Sequence, residues 1–145
     1  MNIVLTHEPL DPQELTARVQ RPSHGASVTF LGVTRNHNDG RRVLYLEYEA
    51  YQQMALQEIQ KIVAEVSARW PVEMAVAHRL GRLEIGEVSL VVAAASSHRK
   101  EAFEACQYTV DCIKETVPIW KREVFEGGSV WIGSEEHAQA KSPAS

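Results

Sequence analysis

An α+β fold, with a mixed or antiparallel sheet and helices on one face, is what the sequence predicts, and three observations predict it. Two long stretches, 51–70 and 97–116, place apolar residues at the helical period, and a proline closes each, Pro71 and Pro118. The stretch 88–95 is apolar throughout, as in a strand buried on both faces. Between the helices, strand-like runs follow one another with short, glycine-marked links, which suits antiparallel neighbours better than parallel crossovers.

Taken in order, 3–6 is a short apolar first strand. Asp11-Pro12-Gln13-Glu14 reads as a helix start: Asp11 caps, Pro12 suits the first turn, and Glu14 completes a capping-box pattern. That helix ends near Gln20, ahead of Arg21-Pro22. A second strand spans 26–33 and is broken at Gly32. The polar stretch 34–42, with Asn36, Asn38, Asp39 and Gly40, reads as an exposed loop, and 43–50 as a third strand. Helix 51–70 presents Ala55, Ile59, Ile62, Val63, Val66 and Trp70 on one face. Strands 72–80 and 88–95 follow, joined through Gly81 and Gly86. Ser96 or Ser97 is the expected cap of the last helix, whose apolar stripe is Ala102, Phe103, Cys106, Val110, Ile113 and Val117. Strands 119–125 and 129–132 close a hairpin around Gly127-Gly128. The expected order is β-α-β-β-α-β-β-α-β-β, in a single domain over 1–133, with 134–145 a polar tail that frays.

Composition narrows the function. Nineteen acidic residues outnumber fifteen basic ones, a net charge of −4, which argues against duplex nucleic acid as partner. The start of the chain lacks a basic region followed by a long apolar run, and no stretch is long and apolar enough to span a membrane, so a cytoplasmic protein without membrane contact is expected. Cys106 and Cys112 are six positions apart on one helix and point different ways, so reduced thiols are expected. Six scattered histidines make no metal-ligand spacing, and no dinucleotide or phosphate-loop signature occurs, so neither metal nor cofactor is expected.

Four groups of residues carry chemistry. Ser97-His98-Arg99-Lys100 puts basic side chains at a helix N-terminus, where free N–H groups already favour an anion. With Phe103 as reference, Arg99 falls inside the apolar stripe, where an arginine meets either a bound anion or a protein carboxylate. Lys114 falls at the edge of the same stripe; it either snorkels to water or reaches a cleft with a lowered pKa. In Pro118-Ile119-Trp120-Lys121-Arg122-Glu123, strand alternation puts Lys121 and Glu123 on one face, as a surface ion pair or as a basic catalytic group held by its neighbour. Phe30-Leu31-Gly32-Val33-Thr34-Arg35 brings Arg35 into a polar loop just past a glycine that lets another backbone approach. Cys106 reads as core, Cys112 has no activating neighbour, and the chain shows bases and an anion site but no nucleophile of its own.

The ordered set 29–38 (TFLGVTRNHN), His78-Arg79-Leu80-Gly81, Ser97-His98-Arg99, Phe103-Glu104-Ala105, Asp111-Cys112-Ile113-Lys114 and 118–123 (PIWKRE) resembles the large, catalytic subunit of molybdopterin synthase, over about 3–132. The resemblance implies an α/β hammerhead fold with an added small antiparallel sheet and a central homodimer, within a heterotetramer. Each large subunit would bind a small ubiquitin-like sulfur carrier whose C-terminal Gly-Gly ends in a thiocarboxylate. The substrate implied is cyclic pyranopterin monophosphate, and the product carries a dithiolene, a step of molybdenum cofactor biosynthesis. On the same resemblance Lys114 and Lys121 correspond to the catalytic lysines, Arg35, His98 and Arg99 to residues that hold the anionic substrate, and Phe30 and Glu123 to further pocket residues. Where the family can place an arginine for a cross-dimer contact shortly after Trp131, this chain has Ile132-Gly133-Ser134-Glu135. The missing nucleophile is then the carrier's sulfur. The rival readings are a non-catalytic α+β module that binds a small anion or a protein C-terminal tail, and a nucleic-acid module built on Arg35, Arg41, Arg42 and Tyr45.

Overall fold

The computed structural model describes residues 2–133, so the expected tail over 134–145 and the position of Glu135 lie outside the described residues. The elements are β1 (Ile3–Thr6), α1 (Pro12–Arg18), β2 (Ala26–Val33), β3 (His37–Asn38), β4 (Arg41–Ala50), α2 (Gln52–Arg69), β5 (Val72–Arg79), β6 (Gly81–Glu84), β7 (Val88–Ser96), α3 (Arg99–Thr116), β8 (Ile119–Phe125) and β9 (Gly128–Ile132). The α+β class holds, and two short strands, β3 and β6, add to the expected order.

One sheet runs β1-β5-β7-β2, with only the β1–β5 pair parallel. Strand β7 lies at its centre, which is why it is apolar on both faces. Val76, Leu90, Val92 and Ala94 pack with Ala55, Ile59, Val66, Cys106, Val110 and Ile113 of α2 and α3. On the opposite face Ala75, Ala77, Val91, Ala93 and Ala95 pack with Leu15 and Val19. The expectation of helices on one face therefore holds for the two long helices and not for α1, which covers the other side. Ile59 is fully buried in the larger core, so Ile59→Ala is expected to lower stability by about 2–5 kcal/mol in urea unfolding, through lost burial and the cavity left behind.

The second sheet is antiparallel and, with five strands, no smaller than the first: β4 pairs with β8, β8 with β9, and β3 and β6 add to β4. The stretch 34–42 is thus a hairpin and not an open loop. Asp39 (φ 50°) and Gly40 (φ 75°) both take the left-handed conformation, and their two-residue turn folds β3 back onto Arg41 and Arg42.

Helix ends show what local rules missed. Asp11 caps α1 as expected, accepting from the N–H groups of Gln13 and Glu14. Glu14 does not close a capping box; its carboxylate pairs with Arg18 at 2.6 Å. Neither Ser96 nor Ser97 caps α3. Ser96 Oγ donates to the Pro71 carbonyl (2.9 Å), Ser97 Oγ donates to the Ser23 carbonyl (3.4 Å), and His98 stands at the cap position without a side-chain bond. The buried side of α3 is Ala102, Ala105, Cys106, Thr109, Val110 and Ile113, while Phe103 is 59% exposed. The face around Phe103 therefore points away from the core, and Arg99, expected inside the apolar stripe, is exposed.

Candidate active site

A cavity of about 250 Å³ opens where the two sheets meet the end of α3. Its walls include Leu90, Ile113, Val117, Ile119 and Ile132. Its polar lining includes Tyr48, His78, Ser89, Lys114 and Lys121. Lys114 reaches it from the last turn of α3, and Lys121 from β8 just past Pro118. The short link through Val117 and Pro118 is what brings helix end and strand together. Both expected catalytic lysines therefore line one cavity.

Gly32 lets β2 pass close to β7 at this point. A Cβ placed on it would stand 3.3 Å from both Leu90 Cβ and Ser89 Oγ, and Ser89 Oγ donates to the Gly32 carbonyl at 3.2 Å. Phe30 lies behind Gly32, packed on the main core and not on the cavity wall. Arg35, past the end of β2, and Glu123, on the same face of β8 as Lys121, sit beside the cavity rather than on its lining. Glu123 is only 3% exposed. Its oxygens accept from Asn38 Nδ2 at 3.0 and 2.9 Å, and Lys121 Nζ stands 3.8 Å away. Burial pushes the Lys121 pKa below the ordinary lysine value; Glu123 works against that, while Lys114 and Arg35 reinforce it. An amine in this state exchanges a proton near neutral pH more readily than a free lysine.

His98 and Arg99 are not part of this cluster. They open α3, and Lys114 lies in its last turn, about 22 Å away along the helix axis. Both ends of α3 cannot serve one cavity within one copy of the chain.

Three cavity residues have no role in the sequence reading: Tyr48, His78 and Ser89. Strand register places Tyr48 directly across from Lys121, and that register is set by the β4–β8 pairing, which no local motif encodes. His78 Nδ1 donates to the Arg79 carbonyl at 2.8 Å, which leaves Nε2 as the acceptor, and its ring meets Tyr48 edge-on at 4.9 Å. Burial, with the charge of Lys114 assisting, lowers the His78 pKa to about 4, so the ring is neutral at physiological pH. Burial likewise raises the Tyr48 pKa and keeps its hydroxyl protonated, against the effect of its hydrogen bond with Ser89. Because the His78 pKa is lower in the fold than in the unfolded chain, protonation favours unfolding. The stability this group supplies is complete above pH 6.5 and is lost as pH falls toward about 4. Urea unfolding is expected to show up to about 3 kcal/mol lost over that range, with a smaller loss in His78→Asn, which keeps the donor to Arg79 and does not titrate.

Cys106 is buried and its pKa is pushed up to about 11, so it stays a thiol; burial also raises that of Cys112. Neither is an activated nucleophile. Among the described residues no cluster of His, Cys, Asp and Glu is arranged to hold a metal ion, and no helix is long and apolar enough to cross a membrane.

Comparison with known proteins bears on the family and the fold. Residues 5–116 match the family described as MoaE protein. The molybdopterin synthase catalytic subunit of Bacillus subtilis (strain 168) is 42% identical over 132 residues, covering 90% of this chain and 84% of that protein. The crystal structure of molybdopterin synthase from Staphylococcus aureus superposes with a TM-score of 0.86 at 38% identity, over 89% of this chain and 95% of that one. A chain from the complex of subunits 1 and 2 of molybdopterin-converting factor from Helicobacter pylori 26695 shares the fold at a TM-score of 0.73, with 22% identity over 90% of each chain.

Proposed function

The chain belongs to the MoaE family, that of molybdopterin synthase catalytic subunits, and from that premise we propose that it transfers sulfur to cyclic pyranopterin monophosphate from the C-terminal thiocarboxylate of a small ubiquitin-like carrier. The observation that carries the reading is the pair Lys114 and Lys121 on one cavity, with the Lys121 amine half-buried and no activated nucleophile among the residues beside it. Such a site suits a reaction whose attacking sulfur arrives on another protein. A Gly-Gly tail carries no side chains to clash with a cavity walled by Leu90, Ile113 and Ile119.

Within the site, Lys121 moves protons or stabilises the oxyanion that forms when water adds to the acyl carbon, which then releases the sulfur to the substrate and leaves the carrier's tail as a carboxylate, and Lys114 shares that work. Arg35 neutralises substrate charge beside them. His98 and Arg99 do the same from a second copy of the chain, since their distance from Lys114 keeps them out of their own cavity. The working unit is then a homodimer with a carrier on each subunit, a heterotetramer. Residues 1–133 act as one catalytic domain, and the enzyme works in the cytoplasm.

Reconstitution tests this. The purified chain, given the pterin substrate and the thiocarboxylated carrier, is expected to form the dithiolene product; given substrate and free sulfide alone, it is expected to form none. Comparable rates with sulfide alone would remove the carrier from the mechanism.

A further inference from the structure

Asn38 stands at the end of β3 and is hydrogen-bonded to both Arg35 and Glu123, the two charged groups beside the cavity. Its Nδ2 donates to both oxygens of Glu123, at 3.0 and 2.9 Å, and its Oδ1 accepts from Arg35 Nη2 at 3.3 Å. Only this orientation of the amide satisfies both neighbours, because arginine has no acceptor and a carboxylate no donor. Glu123 is thereby held by a neutral partner. Lys121 Nζ is left at 3.8 Å, beyond the usual length of a charge-assisted hydrogen bond.

From this geometry we infer that Asn38 is a positioning residue for Lys121: it anchors the Glu123 carboxylate so that the carboxylate orients the lysine without closing a full ion pair on it. The inference deepens the reading of Lys121 as a catalytic group and rests on it. Without Asn38 the buried carboxylate loses the amide nitrogen that bonds both its oxygens, and Lys121, 3.8 Å away, is a cation within reach. The pair closes, and the amine holds its proton more tightly. Lys121 is also faced by Lys114 from α3, Arg35 from the end of β2, Tyr48 across β4 and His78 from β5; of these Arg35 is bonded to Asn38 and loses that bond in the substitution, in the Glu123→Gln background as well as in the wild type.

The test is the titration of the Lys121 amine in full-length, substrate-free protein, followed by NMR after ¹³C reductive methylation and assigned with Lys121→Arg. Asn38→Ala is expected to raise the Lys121 midpoint by roughly one pH unit, the low end of the effect of an opposite charge at that range. In a Glu123→Gln background the same substitution is expected to move it by far less, since the effect passes through the carboxylate. Asn38→Ser, which keeps one donor, is expected to give a smaller rise and serves if the alanine variant does not fold. An unchanged or lowered midpoint, or an equal rise in the Glu123→Gln background, would overturn the inference. Because no turnover is measured, that failure is distinct from a failure of the sulfur-transfer reading, which would show as full activity in Lys121→Ala.

Discussion

Lys121→Ala is expected to lower turnover by roughly 10²–10⁴-fold, the range that a positioned proton-transfer group contributes, and Lys114→Ala to lower it strongly as well. Folding is expected to survive both changes. Lys114 is exposed at the cavity mouth, and removal of Lys121 leaves Glu123 its two bonds from Asn38. Steady-state kinetics with saturating carrier, alongside thermal melts, measure the two effects separately. Lys121→Arg sharpens the result. Arginine keeps the charge but does not give up its proton, so retained activity would assign electrostatic stabilisation, and lost activity would fit proton transfer or a strict geometric demand. Full activity in both alanine variants, with normal melting temperatures, would remove the lysines from the mechanism and favour a binding module.

Arg99→Ala is expected to weaken substrate binding about 10- to 150-fold, which corresponds to the 1.5–3 kcal/mol of a charge-assisted hydrogen bond to phosphate, while carrier binding changes little. Calorimetry with each ligand separately decides, and equal losses would make Arg99 structural. Its place at the far end of α3 adds a second expectation. When Arg99→Ala and Lys121→Ala subunits are mixed, activity is expected to return, because one of the two sites in each mixed dimer then has both groups intact. Mixed dimers no more active than the parents would place Arg99 outside the lysine site altogether.

Much of this site could be read from the sequence, for a local reason. Lys114, Pro118 and Lys121 fall on one short helix-to-strand junction, so their convergence follows from the period of each element and the proline between them. The close approach at Gly32 was legible in the same way, as a glycine where another strand comes near, although β2 is not broken there and runs on to Val33 with a shift in register. Long-range pairings were not legible. Tyr48 and His78 reach the cavity through sheet register, and Asn38 reaches Glu123 through a hairpin whose Asp39-Gly40 turn lies in a stretch that reads as a polar loop. Phe103 misled for a different reason. It is apolar and falls within a helical turn of the true buried face, so it drew the wheel toward itself and took Arg99 with it. The distance between Arg99 and Lys114 follows from helix length alone, yet it gains meaning only once the cavity is located at one end of α3.

The origin of the sulfur is the central claim, and a single-turnover experiment tests it directly. A carrier whose C-terminal thiocarboxylate bears heavy sulfur is mixed with the purified chain and the pterin substrate in the presence of excess unlabelled sulfide, and the dithiolene product is analysed by mass spectrometry. The account predicts that both product sulfurs carry the label, and that the labelled product forms roughly 10²–10⁴-fold more slowly when Lys121→Ala replaces the wild-type chain. Product formed at the normal rate with unlabelled sulfur would contradict it.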